Sequence, residues 1–387
     1  MDTCIIHGRL LLPAGLVEDG TLLIRGNKIV SILPGDSGRL PASADIYDAA
    51  GLYVAPGMID AHTHGALGYD FMTCTAREME EVLAWLPSTG VTSLLPTVSS
   101  SPFTQELEMV QRLAELQTLL SPGAAILGLH LEGPYLNPER RGAQPPEPLR
   151  AARLDEMRRL LEASRHTIRL VTLAPELPGA LDLIAYLVKE DVAVNAGHSD
   201  ATYEEMLKAM RAGLSRVAHL FNGMSPFNHR LPGVAGAALD QTGLYAEIVL
   251  DGVHVHPAAA RIALHAKGID RLMLITDATQ AAGLGDGVYI RPGNRKIIVK
   301  DGAARLESGI LAGSVLTMNG ALANACAFLG LAPEQAIRMA TCVPAESLNL
   351  PAKGSLAPGF DADIILFDEE IHIRAAFVCG RKVFQSS

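Results

Sequence analysis

The chain has 387 residues, of which 42 are acidic and 32 basic, so its formal net charge is −10. This acidic balance argues against a nucleic-acid groove, which needs clustered Lys and Arg, and the 49% of apolar residues excludes a mainly disordered chain. No run approaches the roughly 18 apolar residues of a membrane span, and the first twelve residues do not resemble a secretory signal.

Both ends of the chain are predicted to form short β-strands. Residues 1–55 contain apolar segments with Gly and Asn at the reversals and no helical period. The same texture returns near the other end. Two such pieces can pair into one sheet when the termini lie close together. The sequence therefore predicts a small β-sandwich domain from residues 1–55 and 350–387, with residues 56–349 inserted between them.

The inserted region alternates apolar runs with segments of helical spacing. Eight runs occur, namely GMIDAHTHG, TSLLPTV, AILGLHLEG, IRLVTLAP, VAVNAGHS, RVAHLFN, AEIVLDGVH and LMLITDA. Between runs, Thr75 with Glu78 and Thr202 with Glu205 form capping-box patterns that predict helix starts. Strands that alternate with helices are typical of a buried parallel sheet. Eight units predict a (β/α)8 TIM-like barrel. The alternative, an open doubly wound sheet, would usually carry a glycine-rich turn after its first strand.

The chain beyond the eighth run is predicted to return from the barrel to the small domain. Residues 283–314 are rich in Gly and resemble hairpins, so we expect a strand-bearing loop at the barrel mouth. Helices are expected over 317–329 and 333–343, the second with Pro333 in its first turn.

Ionisable side chains stand at the ends of the apolar runs. His62 and His64 are two residues apart, so they face the same side of the first strand. The others end the third, fifth, sixth and eighth runs: Glu132, His198, His219 and Asp277. Catalytic groups of such barrels collect at the carboxyl ends of the strands. Burial of so many ionisable groups is costly unless they are paired or bind metal. The set therefore predicts a divalent zinc or iron site.

Each of these residues has a structural alternative when it is taken singly. A strand histidine is usually a hydrogen-bonded core residue, Asp277 could cap a helix, and Glu132 could pair with an arginine. The five cysteines are odd in number and contain no C-x-x-C pair. This pattern favours reduced thiols in a cytoplasmic enzyme over a disulfide framework.

Six longer motifs carry a family resemblance. They are PGMIDAHTHG, HLEGPYLNPERRGA, NAGHSDA, HLFNGMSPFNHRLPG, DGVHV and TDA. Together they resemble the N-acetylglucosamine-6-phosphate deacetylase family of the amidohydrolase superfamily over essentially the whole chain. The resemblance implies metal-dependent removal of the acetyl group from N-acetylglucosamine 6-phosphate. The products are glucosamine 6-phosphate and acetate, in amino-sugar catabolism or cell-wall recycling. It also implies that the protein is a homodimer. The expected partner is a sugar phosphate substrate, and neither nucleic acid nor a membrane is expected to bind.

The resemblance also implies roles for the metal ligands. Glu132, His198 and His219 would hold one divalent ion. A second ion on His62 and His64, bridged by Glu132, is implied because this sequence keeps the H-x-H pair that some members have lost. One or two ions per chain, zinc or iron, are therefore expected. The fourth run offers no lysine, which argues against a bridge of the carboxylated-lysine type.

By the same resemblance, two residues act in the chemistry. Asp277 would be the general base and acid, taking a proton from water and returning it to the departing amine. It could also touch the second ion. His254 would polarise the acetyl carbonyl, although a hydrogen-bonded loop histidine is the structural alternative. His256 lies two residues further on, and the family position favours His254.

The substrate contacts follow from the resemblance as well. Asn222, Gly223 and Arg230 would bind the phosphate, and Arg230 would belong to either subunit or be an ordinary surface residue. The sugar contacts would be Ala143, Leu311, Ala312 and Gly313. Gln144 stands where the family often has histidine, and Gly223 where it usually has alanine. Because Gln144 is uncharged, it cannot offer the phosphate the positive charge that a histidine could supply.

Two alternatives remain at this stage. One is a deacetylase of another N-acetyl sugar, such as N-acetylgalactosamine 6-phosphate, because the orientation of one hydroxyl is read by only a few loop residues. The other is a non-catalytic protein of the same fold. Such proteins typically lose metal ligands or the acid/base residue, whereas this sequence retains both sets of residues.

Overall fold

The computed structural model describes residues 2–35, 40–41, 43–118 and 123–386. The strands are β1 (Asp2–Leu12), β2 (Gly15–Arg25), β3 (Lys28–Pro34), β4 (Asp45–Asp48), β5 (Tyr53–Pro56), β6 (Met58–Thr63), β7 (Gly65–Ala66), β8 (Tyr69–Asp70), β9 (Val91–Ser99), β10 (Ala125–Ile126), β11 (Leu129–Glu132), β12 (Ile168–Leu173), β13 (Ala193–Ala196), β14 (Arg216–Val217), β15 (Tyr245–Ile248), β16 (Leu272–Leu274), β17 (Gly287–Arg291), β18 (Arg295–Lys300), β19 (Ala303–Leu306), β20 (Ile364–Phe367), β21 (Ile373–Val378) and β22 (Arg381–Gln385).

The helices lie mainly between the barrel strands. They are α1 (Ala76–Trp85), α2 (Phe103–Leu116), α3 (Leu154–Ala163), α4 (Ala180–Lys189), α5 (Tyr203–Ala212), α6 (Gly233–Asp240), α7 (Pro257–Lys267), α8 (Met318–Leu329), α9 (Pro333–Ala336) and α10 (Cys342–Ser347). Among the described residues, no helix combines the length and apolar character needed to cross a membrane.

Eight parallel strands form a barrel in chain order. They are β6, β9, β11, β12, β13, β14, β15 and β16. The eighth strand returns to the first, because the amide of Asp277 donates to the carbonyl of His62 at 2.9 Å and the amide of His64 donates to that of Ala278 at 2.7 Å. Helices between the strands cover the outer face, so β9 is buried along its whole length. The predicted (β/α)8 barrel is confirmed.

The sequence signals at the helix ends also correspond to the structure. Thr75 begins α1 and Thr202 begins α5, each with both hydrogen bonds of a capping box. The helix predicted over 317–329 is α8. The one predicted over 333–343 is broken, since a 3₁₀ turn at Ile337–Ala340 separates α9 from α10. A continuous helix would bring the ring of Pro344 against the carbonyl of Ala340, which explains the interruption.

Strands from both termini form a second sheet. Its order is β22-β21-β20-β5-β1-β2-β3, with β4 also paired to β1. The antiparallel pair β5–β20 joins the two terminal segments and places Tyr53 opposite Phe367. The sheet has its own apolar core around Ile5, Leu22 and Ile364, all buried. The fold class is therefore a barrel with a small terminal β domain, as the sequence predicts. The limits of that domain at residues 55 and 350 stay a prediction.

A three-stranded antiparallel sheet stands apart from the other two. It consists of β17, β18 and β19, in the Gly-rich stretch expected to carry strands. Ile297 and Val299 point inward and pack against the partly buried Ala143. This hairpin sheet therefore covers one side of the barrel mouth.

Candidate metal and catalytic site

A cavity of about 360 Å³ opens at the carboxyl ends of the barrel strands. Its lining includes most of the residues singled out in the sequence, namely His64, Glu132, Ala143, His198, His219, Asn222, Gly223, His254, Asp277, Leu311 and Gly313. A larger cavity, about 600 Å³, lies in the terminal sheet, and none of those residues lines it. The chemistry is therefore argued from the cavity at the barrel mouth.

Glu132 lies at the centre of this cluster. Its Oε1 atom is 3.0 Å from Nε2 of His198 and 3.2 Å from Nε2 of His219. The two Nε2 atoms are themselves 3.2 Å apart. Three strands thus bring one carboxylate and two imidazoles to a single point.

Hydrogen bonds on the far side of each ring fix its orientation. Nδ1 of His198 is 2.9 Å from the carbonyl of Arg140, and Nδ1 of His219 is 3.0 Å from that of Asn222. A carbonyl only accepts, so both Nδ1 atoms carry a hydrogen and the neutral rings present lone pairs at Nε2. Those lone pairs face each other and a carboxylate oxygen. Such an arrangement is repulsive without a cation, so the donor set fits a divalent metal.

His62 and His64 form a second group with Glu132. Nε2 of His62 is 3.3 Å from Oε1 of Glu132, and Nε2 of His64 is 3.4 Å from Oε2. Nδ1 of His62 is 3.0 Å from the carboxylate of Glu247, which fixes the same tautomer. Nε2 of His62 is buried with no hydrogen-bond partner among the described residues. This buried, unpaired nitrogen is what a metal ligand requires.

Asp277 lies beside the second group. Its Oδ1 atom is 3.2 Å from Nε2 of His64 and 3.7 Å from that of His62. Burial raises the pKa of Asp277, but its contacts with the imidazoles of His64 and His62 outweigh burial and hold it below the ordinary value. For Glu132, burial is likewise outweighed by the surrounding imidazoles, and its pKa is held well below the ordinary value. Both carboxylates are therefore ionised near neutral pH.

The backbone turns sharply where three of these side chains enter the cavity. His198, His219 and Asp277 have φ values of 49°, 27° and 47°. Residues with a Cβ atom rarely adopt this left-handed backbone region, and each one costs of the order of 1–2 kcal/mol of conformational energy. Each residue lies two or three positions beyond the end of a barrel strand, so the turn points its side chain inward.

His254 also faces the cavity. Its Nδ1 atom is 2.6 Å from Oδ2 of Asp251, whose other oxygen accepts from the amides of Val253 and His254. Burial raises the pKa of Asp251, but the imidazole of His254 and the amides of His254 and Val253 together outweigh burial, so the pKa is lowered. Nε2 is then the ring atom left for a substrate. His256 instead accepts from the amide of Ala258 and caps α7.

Two predicted substrate residues lie outside the lining. Ala312 is fully buried in the small core beneath the hairpin sheet. Arg230 is exposed in the segment before α6 and does not reach the cavity of its own chain. Gln144 does line the cavity, where its amide donates to Oε2 of Glu132 and accepts from the amide of Ser100. Gln144 therefore contacts the carboxylate at the centre of the cluster.

The structure adds residues that the sequence analysis did not single out. Glu247, Arg216 and Asn195 form a fully buried network beneath His62. Glu247 lies one residue before the end of the seventh strand, between apolar neighbours, so the only signal for it is an ionisable residue within an apolar run. The hairpin sheet contributes the cavity residues Arg291, Arg295 and Arg305. No local pattern marks these arginines.

The fold and site are those of a metal-dependent hydrolase. The sequence model described as "Amidohydrolase family" matches residues 53–383, and the chain belongs to that family. It is 37% identical to the N-acetylgalactosamine-6-phosphate deacetylase of Escherichia coli O157:H7, over 96% of this chain and 97% of that protein. It is 36% identical to the N-acetylglucosamine-6-phosphate deacetylase of Bacillus subtilis strain 168, over 96% of this chain and 94% of that protein.

A solved structure shows the same architecture. The N-acetylglucosamine-6-phosphate deacetylase of Pasteurella multocida superposes with a TM-score of 0.93 at 30% identity, over 100% of both chains. The family resemblance drawn from the sequence motifs is confirmed.

Proposed function

We propose that this chain is a metal-dependent deacetylase that converts N-acetylglucosamine 6-phosphate to glucosamine 6-phosphate and acetate. The observation that carries the proposal is the convergence of Glu132, His198 and His219 on one point, with Asp277 and His254 facing the same cavity. The full-length similarity to 6-phosphohexosamine deacetylases supports the substrate class.

The metal would be held by Glu132, His198 and His219, with a second position at His62 and His64. When bound, a divalent ion acts as a Lewis acid and lowers the pKa of water at the site towards 7. We propose zinc or iron, since imidazole and carboxylate ligands suit both. Metal analysis of the purified protein should give one to two equivalents per chain.

Asp277 would move the proton. Its ionised carboxylate accepts a proton from the attacking water and returns it to the amide nitrogen, so that the amine can leave. His254 would donate from Nε2 to the acetyl oxygen; since Nδ1 already donates to Asp251, this contact needs a hydrogen on both ring nitrogens. The developing negative charge on that oxygen then has a positioned partner.

The substrate would span the cavity from the metal ligands to Asn222 and Gly223. Gly223 has a φ of +56°, and a Cβ there would lie 2.9 Å from Nδ1 of His198. Glycine therefore lets this backbone come close to the ligand ring, and its amide would serve the phosphate. Ala143 and residues 311–313 would contact the sugar.

Arg230 would complete the phosphate pocket from a partner subunit. Its exposed position supports this assignment, as do the neighbouring Phe227 and Leu231, which are 60% and 76% exposed. An apolar, solvent-facing segment around an arginine suits a subunit interface. We therefore propose a homodimer, testable by light scattering.

We further propose a cytoplasmic location. All five cysteines are free thiols in the structure. Reduced cysteines are normal in that compartment. Fractionation of the native cells would test it.

The galacto epimer is the second candidate, favoured by the 37% identity to an N-acetylgalactosamine-6-phosphate deacetylase. Acetate release should be measured after defined metal loading on both sugars, each with and without phosphate. We expect the highest kcat/KM with N-acetylglucosamine 6-phosphate. A preference for the galacto sugar would change the substrate, and no release from any N-acetyl sugar would favour a non-catalytic protein.

A further inference from the structure

The hairpin sheet gives the cavity a cationic wall. Arg291, Arg295 and Arg305 are the only arginines or lysines among the described residues that line it. Arg305 is exposed and donates to the carbonyl of Gly309. The other two are withdrawn from solvent, which makes their charge more significant.

Arg291 has too few acceptors for its donors. Its residue is only 6% exposed, and its Nε atom has no hydrogen-bond partner among the described residues. The nearest carboxylate oxygen, Oδ2 of Asp70, is 3.8 Å away and is also without a hydrogen-bond partner there. The remaining contact, from Nη2 to Oγ of Ser99, is long at 3.5 Å. A buried guanidinium with unused donors is costly, so the site is short of an acceptor.

Arg295 adds a second positive charge to the same wall. It donates to the carbonyls of Ala143 at 2.6 Å and Pro292 at 3.4 Å, and neither group is charged. Burial, and then the neighbouring charge of Arg291, lower the pKa of Arg295. Two like charges held side by side are stabilised by a shared anion.

This wall lies across the cavity from the proposed phosphate contacts. Ser99, beside Arg291, ends the second barrel strand, whereas Asn222 and Gly223 follow the sixth. Strands four positions apart in a closed eight-stranded barrel are diametrically opposite. The Glu132 cluster stands between the two walls.

We propose that Arg291 and Arg295 form an oxyanion subsite, which binds a carboxylate or phosphate group opposite Asn222 and Gly223. Guanidinium groups bind both anions through paired N–H donors. This inference rests on the proposed function, which supplies two anions that could occupy the subsite. They are the acetate released by hydrolysis and the phosphate group of the sugar.

The test is equilibrium binding to the metal-loaded protein without turnover. Sodium acetate and inorganic phosphate are titrated separately by calorimetry against the wild type, Arg291→Met and Arg295→Met. We expect the Kd of at least one anion to rise about tenfold in both variants. Arg261→Met, a surface arginine outside the cavity lining, is the matched control and should leave both Kd values unchanged.

The outcomes separate the two sources. A loss confined to acetate assigns the subsite to the product, whereas a loss that includes phosphate assigns it to the phosphate group of the sugar in place of Asn222 and Gly223. Unchanged Kd values in Arg291→Met and Arg295→Met, or no binding of either anion to the wild type, would overturn the subsite. Arg295→Met leaves Asp70 untouched, so it gives an answer even if Arg291→Met fails to fold. Failure of the proposed function would appear separately, as absent acetate release with intact anion binding.

Discussion

The carboxylate of Glu247 meets the imidazole of His62 at 3.0 Å, Oε2 to Nδ1, where both side chains are fully buried. The other oxygen, Oε1, accepts from Arg216 at 2.7 Å and from Asn195 at 2.8 Å. Arg216 also donates to Asn195 and to Ser347. Buried ion pairs are weak stabilisers. The role of the Glu247 network is instead to fix the tautomer of His62, so that its Nε2 atom faces Glu132 and Asp277.

We expect Glu247→Gln to weaken the second metal position. A glutamine amide can present its NH2 group to Nδ1, which would shift the tautomer and place a hydrogen on Nε2. Loss of such an outer partner typically costs 10- to 100-fold in metal affinity. Zinc per chain, measured across a chelator series, should show the weaker equivalent lost and the tighter one retained.

The matched control is Glu106→Gln. Glu106 is also buried and pairs with an arginine, Arg150, at 2.8 Å, but it lies outside the cavity lining. Glu106→Gln should lower the free energy of unfolding without changing the zinc titration. Because Glu247→Gln strands the charge of Arg216, the double variant Glu247→Gln/Arg216→Gln should show the same metal loss. Retention of both zinc equivalents in Glu247→Gln and in the double variant would contradict the role of Glu247.

We expect Asp277→Asn to bind metal nearly as well as the wild type and to lose turnover. General acid–base catalysis contributes about 10²- to 10⁴-fold, and an amide side chain cannot carry the proton. Acetate release and metal content are measured on the same preparation. Wild-type rates would refute the proton-transfer role, and a large drop in metal content would make Asp277 primarily a ligand.

We expect Arg230→Ala to raise KM for the phosphorylated sugar more than for the plain sugar. A lost charge-assisted contact to phosphate typically costs about tenfold or more. Equal effects on the two sugars would argue against a phosphate contact.

Mixing experiments decide which subunit supplies Arg230. A heterodimer of Arg230→Ala and Asp277→Asn chains contains one intact site only if the arginine acts across the interface. Co-expression of the two variants should therefore restore a fraction of the activity. Activity no greater than the sum of the two variant homodimers, measured at a substrate concentration below KM, would place the arginine in its own subunit.

The pH dependence of stability should carry the signature of Lys267. Burial, and then Arg271, lower the pKa of Lys267 to about 8, while its Nζ donates to the carbonyl of Gln241 at 2.7 Å. Between pH 8 and the unfolded value of 10.5, the unfolded chain binds more protons, so this group makes stability rise with pH. Below pH 8 the full cost of burying the charge remains.

Lys267→Met isolates this effect. Lys267→Met should increase the free energy of unfolding, and this gain over the wild type should be largest below pH 8. It should shrink by no more than about 3 kcal/mol as the pH approaches 10.5. Denaturant unfolding at a series of pH values provides the measurement. A difference that does not change with pH would show that Lys267 has an ordinary pKa.

The sequence by itself determined the barrel and the candidate metal ligands. Strand periodicity and helix caps are local, and the carboxyl ends of parallel strands must meet at one edge. Ionisable residues at the ends of five of the eight apolar runs, such as Glu132 and His219, were therefore enough to predict the cluster. The break before α10 was missed because the effect of Pro344 depends on the position of a helix start that periodicity does not define.

The tertiary structure alone decided the partners of those ligands. Glu247 and His62 are 185 residues apart in the chain, and the network between them exists only because the barrel closes. The hairpin arginines meet the cavity through the packing of an antiparallel sheet whose sequence carries no functional pattern. The exposure of Arg230 likewise depends on where its loop leaves the barrel. Local sequence patterns specify elements and their order, whereas contacts between distant side chains depend on the closed, packed fold.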